Sequence, residues 1–292
     1  MPAIIDVVLP TFIVIFIGYL LGRLTKLDVA PLVDISLYVA VPALVVVSLV
    51  SKEIVLADAA RIWAAALIIM GGCLLAAWLV FKLLRQKHSG LYAPIAIMNT
   101  VNIPFPVIYL AYGAEGLAAA TLFYIPNLLL IYTFGIYVMA GRRWKDNLKE
   151  IIRLPLLYAF VLGLVLNFLD VRLPDLLYNT LDFISLMAIP LVLLILGHNL
   201  SRVRLTSLPT TFLASFLRVG VGLGLGLLAV YILNISGVFR SVVILDAAMP
   251  AAATTAMLAT KYKSEAGLVS SVVLVTTLAS LAVIPFLLHW LG

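Results

Sequence analysis

The sequence predicts an all-α membrane protein of ten transmembrane helices, arranged as a 5+5 inverted repeat in which the fourth and ninth helices are broken and cross. Three observations predict it. Of 292 residues, 64% are hydrophobic and only 11% are charged, with a mean hydropathy of +1.21; soluble domains are roughly 45–50% apolar and about 25% charged. The apolar residues fall into runs matching the roughly 20 residues that a helix needs to cross a bilayer. Short signatures recur in order at a near-constant separation, as expected of a duplication.

The first span, 4–24, carries Leu9-Pro10 and Gly18, and the second, 32–50, centres on Val41-Pro42. The third, 62–84, follows Asp58 and Arg61. The fourth, 91–112, contains Pro104 and Pro106, and the fifth, 116–140, opens on Gly116-Leu117. A basic stretch, 141–153, separates this first repeat (1–140) from the second (154–292). The sixth span, 154–169, is short and opens on Leu154-Pro155 with Gly163, 145 residues after its counterpart in the first. Ile189-Pro190 marks the seventh, 175–199, at an offset of 148. The eighth, 209–233, holds Arg218, the ninth, 238–259, holds Pro250, and the tenth, 266–290, opens on Gly267-Leu268 at an offset of 151. Five spans per half is an odd number, so the copies must be inverted relative to one another.

Topology follows from the basic residues, because cytoplasmic loops carry the excess of Lys and Arg. Fourteen lie on one side, at 23–26, 82–87, 142–153, 202–204 and 261–263, against Lys52, Arg61, Arg172 and Arg240 on the other. Both termini are therefore expected on the non-cytoplasmic face of a plasma (inner) membrane, with the first helix uncleaved. The charge of +6 reads as topology rather than nucleic-acid binding. The single cysteine, Cys73, has no partner for a disulfide or a metal. No cofactor or metal motif is present.

The chemistry concentrates in the fourth and ninth spans. Asn99-Thr-Val-Asn102-Ile-Pro104-Phe-Pro106 and Asp246-Ala-Ala-Met-Pro250-Ala-Ala-Ala-Thr254 place Pro104 and Pro250 146 residues apart. Proline removes a backbone donor and clashes with the carbonyl four residues earlier, so these helices should open near mid-membrane. Such backbone is tolerated only where protein or a wet cavity satisfies it. Two half-helices meeting there aim amide-bearing N-terminal ends at one place, which suits an anion. The other prolines read as kinks.

Arg218 needs a partner at such depth; Asp246, Asp182 or a bound carboxylate could serve, as a structural ion pair or as part of the substrate site. The Gly220-Val-Gly222-Leu-Gly224-Leu-Gly226 run reads as close helix packing rather than a nucleotide loop. Asn127, Thr276 and Thr277 read as interhelical packing.

These crossover segments resemble the auxin efflux carrier family, the plant PIN exporters and shorter prokaryotic carriers. The likeness rests on Asn99-Thr100 ahead of Pro106, on Tyr112-Gly113, on Ala247-Ala248-Met249-Pro250 and on Ala259-Thr260-Lys261-Tyr262. The resemblance implies a ten-helix homodimeric transporter exporting a small organic anion, auxin-like or another carboxylate, with Asn99 touching it. Asp58 with Arg61 resembles an acidic/basic pair that the family places beside the site, and an interfacial salt bridge is an equal reading. Pro104 stands where the family commonly has glycine, and the long hydrophilic loop of plant members is replaced by 141–153. The expected substrate-binding set is therefore Asn99, Asn102, Pro104, Pro106, Asp246, Pro250, Thr254 and Arg218, with Asp58, Arg61 and Asp182 as coupling or support residues. Two other classes are compatible with parts of the sequence: a transporter-fold sensor that binds an anion without moving it, and an intramembrane aspartyl protease using Asp182 and Asp246. The protease reading explains neither the duplication nor the proline breaks.

Overall fold

A computed structural model describes residues 4–141 and 152–292. The basic stretch expected at 141–153 lies mostly outside them. The described residues are helical, with one isolated bridge and no named strand. Among the described residues seven helices are long and apolar enough to span a membrane, and the chain is an all-helical, multi-pass membrane protein.

In chain order the helices are α1 (Ile4–Leu24), α2 (Ala30–Val50), α3 (Leu56–Leu83) and the short α4 (Tyr92–Ala96). They are followed by α5 (Pro104–Ala140), α6 (Pro155–Phe168), α7 (Asp175–Leu200) and α8 (Leu208–Ile232). The last three are α9 (Gly237–Ala247), α10 (Ala253–Lys261) and α11 (Ala266–Leu291). Between the expected fourth and fifth spans the chain does not loop out. Helix α5 runs past residue 112 and turns at Gly113, whose φ of 65° and ψ of −153° lie where only glycine sits without strain.

Pro42 and Pro190 distort their helices just upstream, as the missing N–H and ring clash demand. Below Pro42 the chain widens into a π-turn over Ser36–Ala40. Below Pro190 the regular hydrogen bonding lapses at Leu186 and Met187 between two helical stretches of α7.

Two packing groups organise the molecule. In one, α1 lies along the 188–200 stretch of α7, while the 41–50 stretch of α2 lies against α6. Glycines set both approaches. A Cβ on Gly18 would come within 2.9 Å of the Leu194 backbone, and one on Gly163 within 2.9 Å of the Leu49 side chain. Asn167 of α6 ties the group to the start of α3, donating to Leu49 and Lys52 carbonyls at 2.7 and 2.6 Å and accepting from the Ile54 N–H at 3.1 Å. The other group packs α3 on α4 and α8, α9 on α5 and α8, and α11 on α8 and α10. A hydroxyl pair, Ser48 and Thr121 at 2.9 Å, joins α2 of the first group to α5 of the second. At one end Glu265 receives the Gly90 N–H at 2.8 Å and sits 2.7 Å from His88 Nδ1, fixing the chain just ahead of α4.

Candidate functional site: a backbone crossing and its cavity

The two breaks fall beside their prolines, but not in the same way. Had α4 continued, Pro104 would have met the Thr100 carbonyl and Pro106 the Asn102 carbonyl. The chain instead opens over 97–103, and both prolines occupy the first turn of α5, where a missing N–H costs nothing. They begin the second half-helix rather than interrupting one. Pro250 sits inside its own break, between Ala247 at the end of α9 and Ala253 at the start of α10.

Within the breaks the two chains run antiparallel and pair. Asn99 N–H donates to the Pro250 carbonyl at 2.7 Å, and Ala252 N–H to the Ile97 carbonyl at 3.1 Å, making Met98 and Ala251 opposed residues of a one-rung bridge. In this pattern the N–H groups of the opposed residues point away from each other and need partners elsewhere. Asn127 Oδ1 accepts from Met98 at 3.2 Å, and Thr276 Oγ1 accepts from Ala251 at 3.1 Å. Asn127 Nδ2 also donates to the Met98 carbonyl at 2.7 Å and to Thr100 Oγ1 at 3.0 Å. Irregular backbone deep in a membrane protein is thereby satisfied by side chains from α5 and α11.

Four helix ends converge here. The two C-terminal ends, of α4 and α9, carry unpaired carbonyls and partial negative charge. Arg218, fully buried in a π-turn of α8, donates from Nη1 to the Ile95 carbonyl at 2.9 Å and from Nη2 to the Ala247 carbonyl at 2.7 Å. Its counter-charge is thus backbone rather than the expected carboxylate. Neither Asp246 nor Asp182 lies within ion-pair distance of it, and it does not line the cavity described below. A Cβ on Gly222 would collide with Arg218 Nη2 and lie 2.5 Å from the Ala247 carbonyl, so this glycine of the α8 run opens the path for the guanidinium.

The two N-terminal ends, of α5 and α10, face a cavity of about 410 Å³. The Asn102 N–H ahead of α5 donates to Asn99 Oδ1 at 2.9 Å, and neither α5 nor α10 has a side-chain cap. Asn99 Nδ2 is buried with no partner among the described residues. Asn99, Asn102, Asn127 and Thr254 form the polar end of the cavity. Its walls include Val41 of α2, Leu156 of α6 and Val192 and Leu196 of α7, and it extends to Asn199 and the exposed Lys261. The cavity therefore lies between the crossing and the other packing group.

Among the residues expected at the site, Asn99, Asn102 and Thr254 are brought together on the cavity wall, while Pro104, Pro106 and Pro250 shape the breaks behind it. Asp246, in the last turn of α9, is fully buried, both carboxylate oxygens lack a partner among the described residues, and it does not reach the cavity. Asp58 and Arg61 pair at 3.2 Å and line a separate hollow of about 230 Å³ with Glu115 and the start of α9. Asp182 is exposed on α7. The sequence reading did not single out Lys261, Asn199 or Tyr124 as cavity residues. The spacing of Thr254 and Lys261 offered a signal, since seven residues return a helix to the same face.

Helices broken around a hollow with one polar, amide-bearing end define a class, the membrane transporters with discontinuous spans. Comparison with known proteins is more particular. The profile of the family described as membrane transport protein matches residues 3–150 and 144–288, and the chain belongs to that family, the auxin efflux carriers. It is 28% identical to an uncharacterized transporter of Methanocaldococcus jannaschii over 296 residues, covering 96% of each chain. It is likewise 28% identical over 291 residues, again 96% of each, to an uncharacterized transporter of Methanothermobacter thermautotrophicus.

Proposed function

We propose that this protein is a secondary transporter that exports a small organic anion by alternating access around the helix crossing. The observation that carries the reading is the polarity of the four ends. The negative ends are closed off by Arg218, while the positive ends, beside Asn99, are turned to the cavity. A carboxylate seated there would receive N–H donors from Asn99 and α10 and a hydroxyl from Thr254. Lys261, farther along the wall, adds an attractive charge on the approach. The apolar remainder of the wall fits the organic part.

In this reading the chain has ten spans: α1, α2, α3, the α5 stretch after Gly113, α6, α7, α8, α11, and two interrupted ones, α4 with the start of α5 and α9 with α10. The halves are an inverted repeat, and exchanged contacts support it. Gly163 lies 145 residues after Gly18 and Leu194 lies 145 after Leu49, and Gly18 packs on Leu194 as Gly163 packs on Leu49. Helices α1, α2, α6 and α7 form the support, and the crossing helices with α3, α8 and α11 form the moving unit. The termini face away from the cytoplasm of a plasma (inner) membrane. Lys261 lies on the basic side, so the cavity opens inward, and the transporter is a homodimer like the family it resembles. Asp58, Arg61 and Asp182 stay candidates for ion coupling rather than for substrate contact.

An inside-negative potential of 100 mV is worth about 2.3 kcal/mol per charge, enough to drive a monovalent anion outward about fiftyfold without a coupled ion. The direct test is a thermal-shift screen of the purified protein against carboxylates of graded size. A ligand at about 100 times its Kd stabilises by about 2.7 kcal/mol. Stabilisation by some carboxylate in the wild type and its loss in Asn99→Asp are expected. Equal stabilisation of both would contradict the assignment.

A further inference from the structure

We propose that Arg218 is the crossing's own permanent cation, standing where other broken-helix transporters place a sodium ion, so that the crossing stays assembled with no metal ion at that position. The inference rests on the transporter reading only for its consequence, ion-independent assembly, and not for its test.

In transporters with discontinuous helices, unwound carbonyls and the C-terminal ends of half-helices ordinarily coordinate the coupling cation. Here the same kind of group, the Ile95 and Ala96 carbonyls at the end of α4 and the Ala247 carbonyl at the end of α9, receives a guanidinium at 2.9, 3.4 and 2.7 Å. The planar fork of arginine spans two acceptors that a compact ammonium cannot reach together. Three features of the sequence serve this placement. The π-turn Leu217–Val221 holds Arg218. Gly222 leaves room for Nη2 beside the Ala247 carbonyl, and Gly226 lets the Ala247 methyl approach. Burial is complete, and the charge meets the carbonyls of the two helix ends through Nη1 and Nη2, with Nε unpartnered among the described residues. Arg218 is a positioning residue: it joins α4 to α9 and leaves the N-terminal ends free for the anion.

The test compares melting of the full-length purified protein in sodium, potassium and choline chloride and with added millimolar guanidinium. The wild type should melt at the same temperature in all of them. Arg218→Ala should melt several degrees lower and recover part of the loss with guanidinium or sodium but not with choline, because the vacated carbonyls then accept a soluble cation. If Arg218→Ala yields no folded protein, Arg218→Lys and Arg218→Met decide. Lysine keeps the charge and methionine only the bulk, so lysine should be the more stable. A loss in Arg218→Ala that no cation restores, or methionine equal to or better than lysine, would overturn the proposal. So would a wild type whose melting rises with sodium and whose rise disappears in Arg218→Lys. Carboxylate stabilisation is read separately, so failure here leaves the anion assignment standing.

Discussion

Asn127 holds both backbone groups of Met98: its Oδ1 accepts the N–H at 3.2 Å and its Nδ2 donates to the carbonyl at 2.7 Å. One side chain on α5 thus fixes the residue at the centre of the crossing, as a neighbouring strand would. Replacement by leucine, close in volume, leaves a buried N–H and a buried carbonyl without partners, each costing about 1–3 kcal/mol. Asn127→Leu should therefore lower the melting temperature and the bound fraction of any carboxylate ligand together. Thr276→Val removes one such partner, from the Ala251 N–H, and should cost about half as much.

Asn99 lines the cavity; its Oδ1 accepts the Asn102 N–H, and its buried Nδ2 has no partner among the described residues. Asn99→Asp retains this acceptor and replaces the donor with an acceptor of the wrong sign, so the fold should be kept and anion binding lost. Asn99→Ala loses both, with a stability cost of about 1 kcal/mol for the lost hydrogen bond. Circular dichroism melts beside ligand titrations separate the two effects.

The glycines of the support group should not be equivalent. A methyl at Gly197 would strike the Ile15 carbonyl and come within 2.7 Å of the Tyr19 N, all backbone of α1, whereas one at Gly163 meets only the Leu49 side chain. Backbone cannot step aside and leucine can change rotamer. Gly197→Ala should destabilise by about 3 kcal/mol, the upper range for overpacking, and Gly163→Ala by about 1 kcal/mol, as measured by thermal or denaturant unfolding.

Cys73 is fully buried on α3, with Sγ 4.0 Å from the Leu217 carbonyl. Its thiol should stay silent towards maleimides until the protein unfolds, making it a built-in reporter for all the melts above. In a Cys73→Ser background, Thr254→Cys should label with an impermeant maleimide added from the basic, inner side and be shielded by a bound carboxylate. Labelling only from the opposite side would reverse the assigned orientation of the cavity.

The helical membrane class was legible because composition and run length are imposed by the bilayer and admit few alternatives. The crossing was legible because Pro104, Pro106 and Pro250 each disfavour a continuous helix and fall at matching places in the two halves, whereas Pro126 and Pro285, without that pairing, sit inside helices that run on past them. What surrounds the breaks was not. The partner of Arg218 could not be read from the sequence because carbonyls are present at every residue, and only the packing decides which are freed. Asn127 and Thr276 read as interhelical packing, and the finer fact, that they hold the bridge residues, depends on contacts 29 and 25 residues away in sequence. Lys261 was counted towards topology because a lysine at a helix end ordinarily serves that purpose. Asp58 and Arg61 form a pair 3 residues apart, which spacing alone foretold, but their distance from the cavity depended on how α3 packs.

The most direct measurement is outward flux of radiolabelled organic carboxylates from proteoliposomes under a potassium-valinomycin potential, with the wild type beside Asn99→Asp. Efflux of at least one carboxylate should accelerate as the interior is made more negative and fall to the background of empty liposomes in Asn99→Asp. Voltage-independent efflux, or efflux of equal rate in a folded Asn99→Asp, would contradict anion export through the crossing.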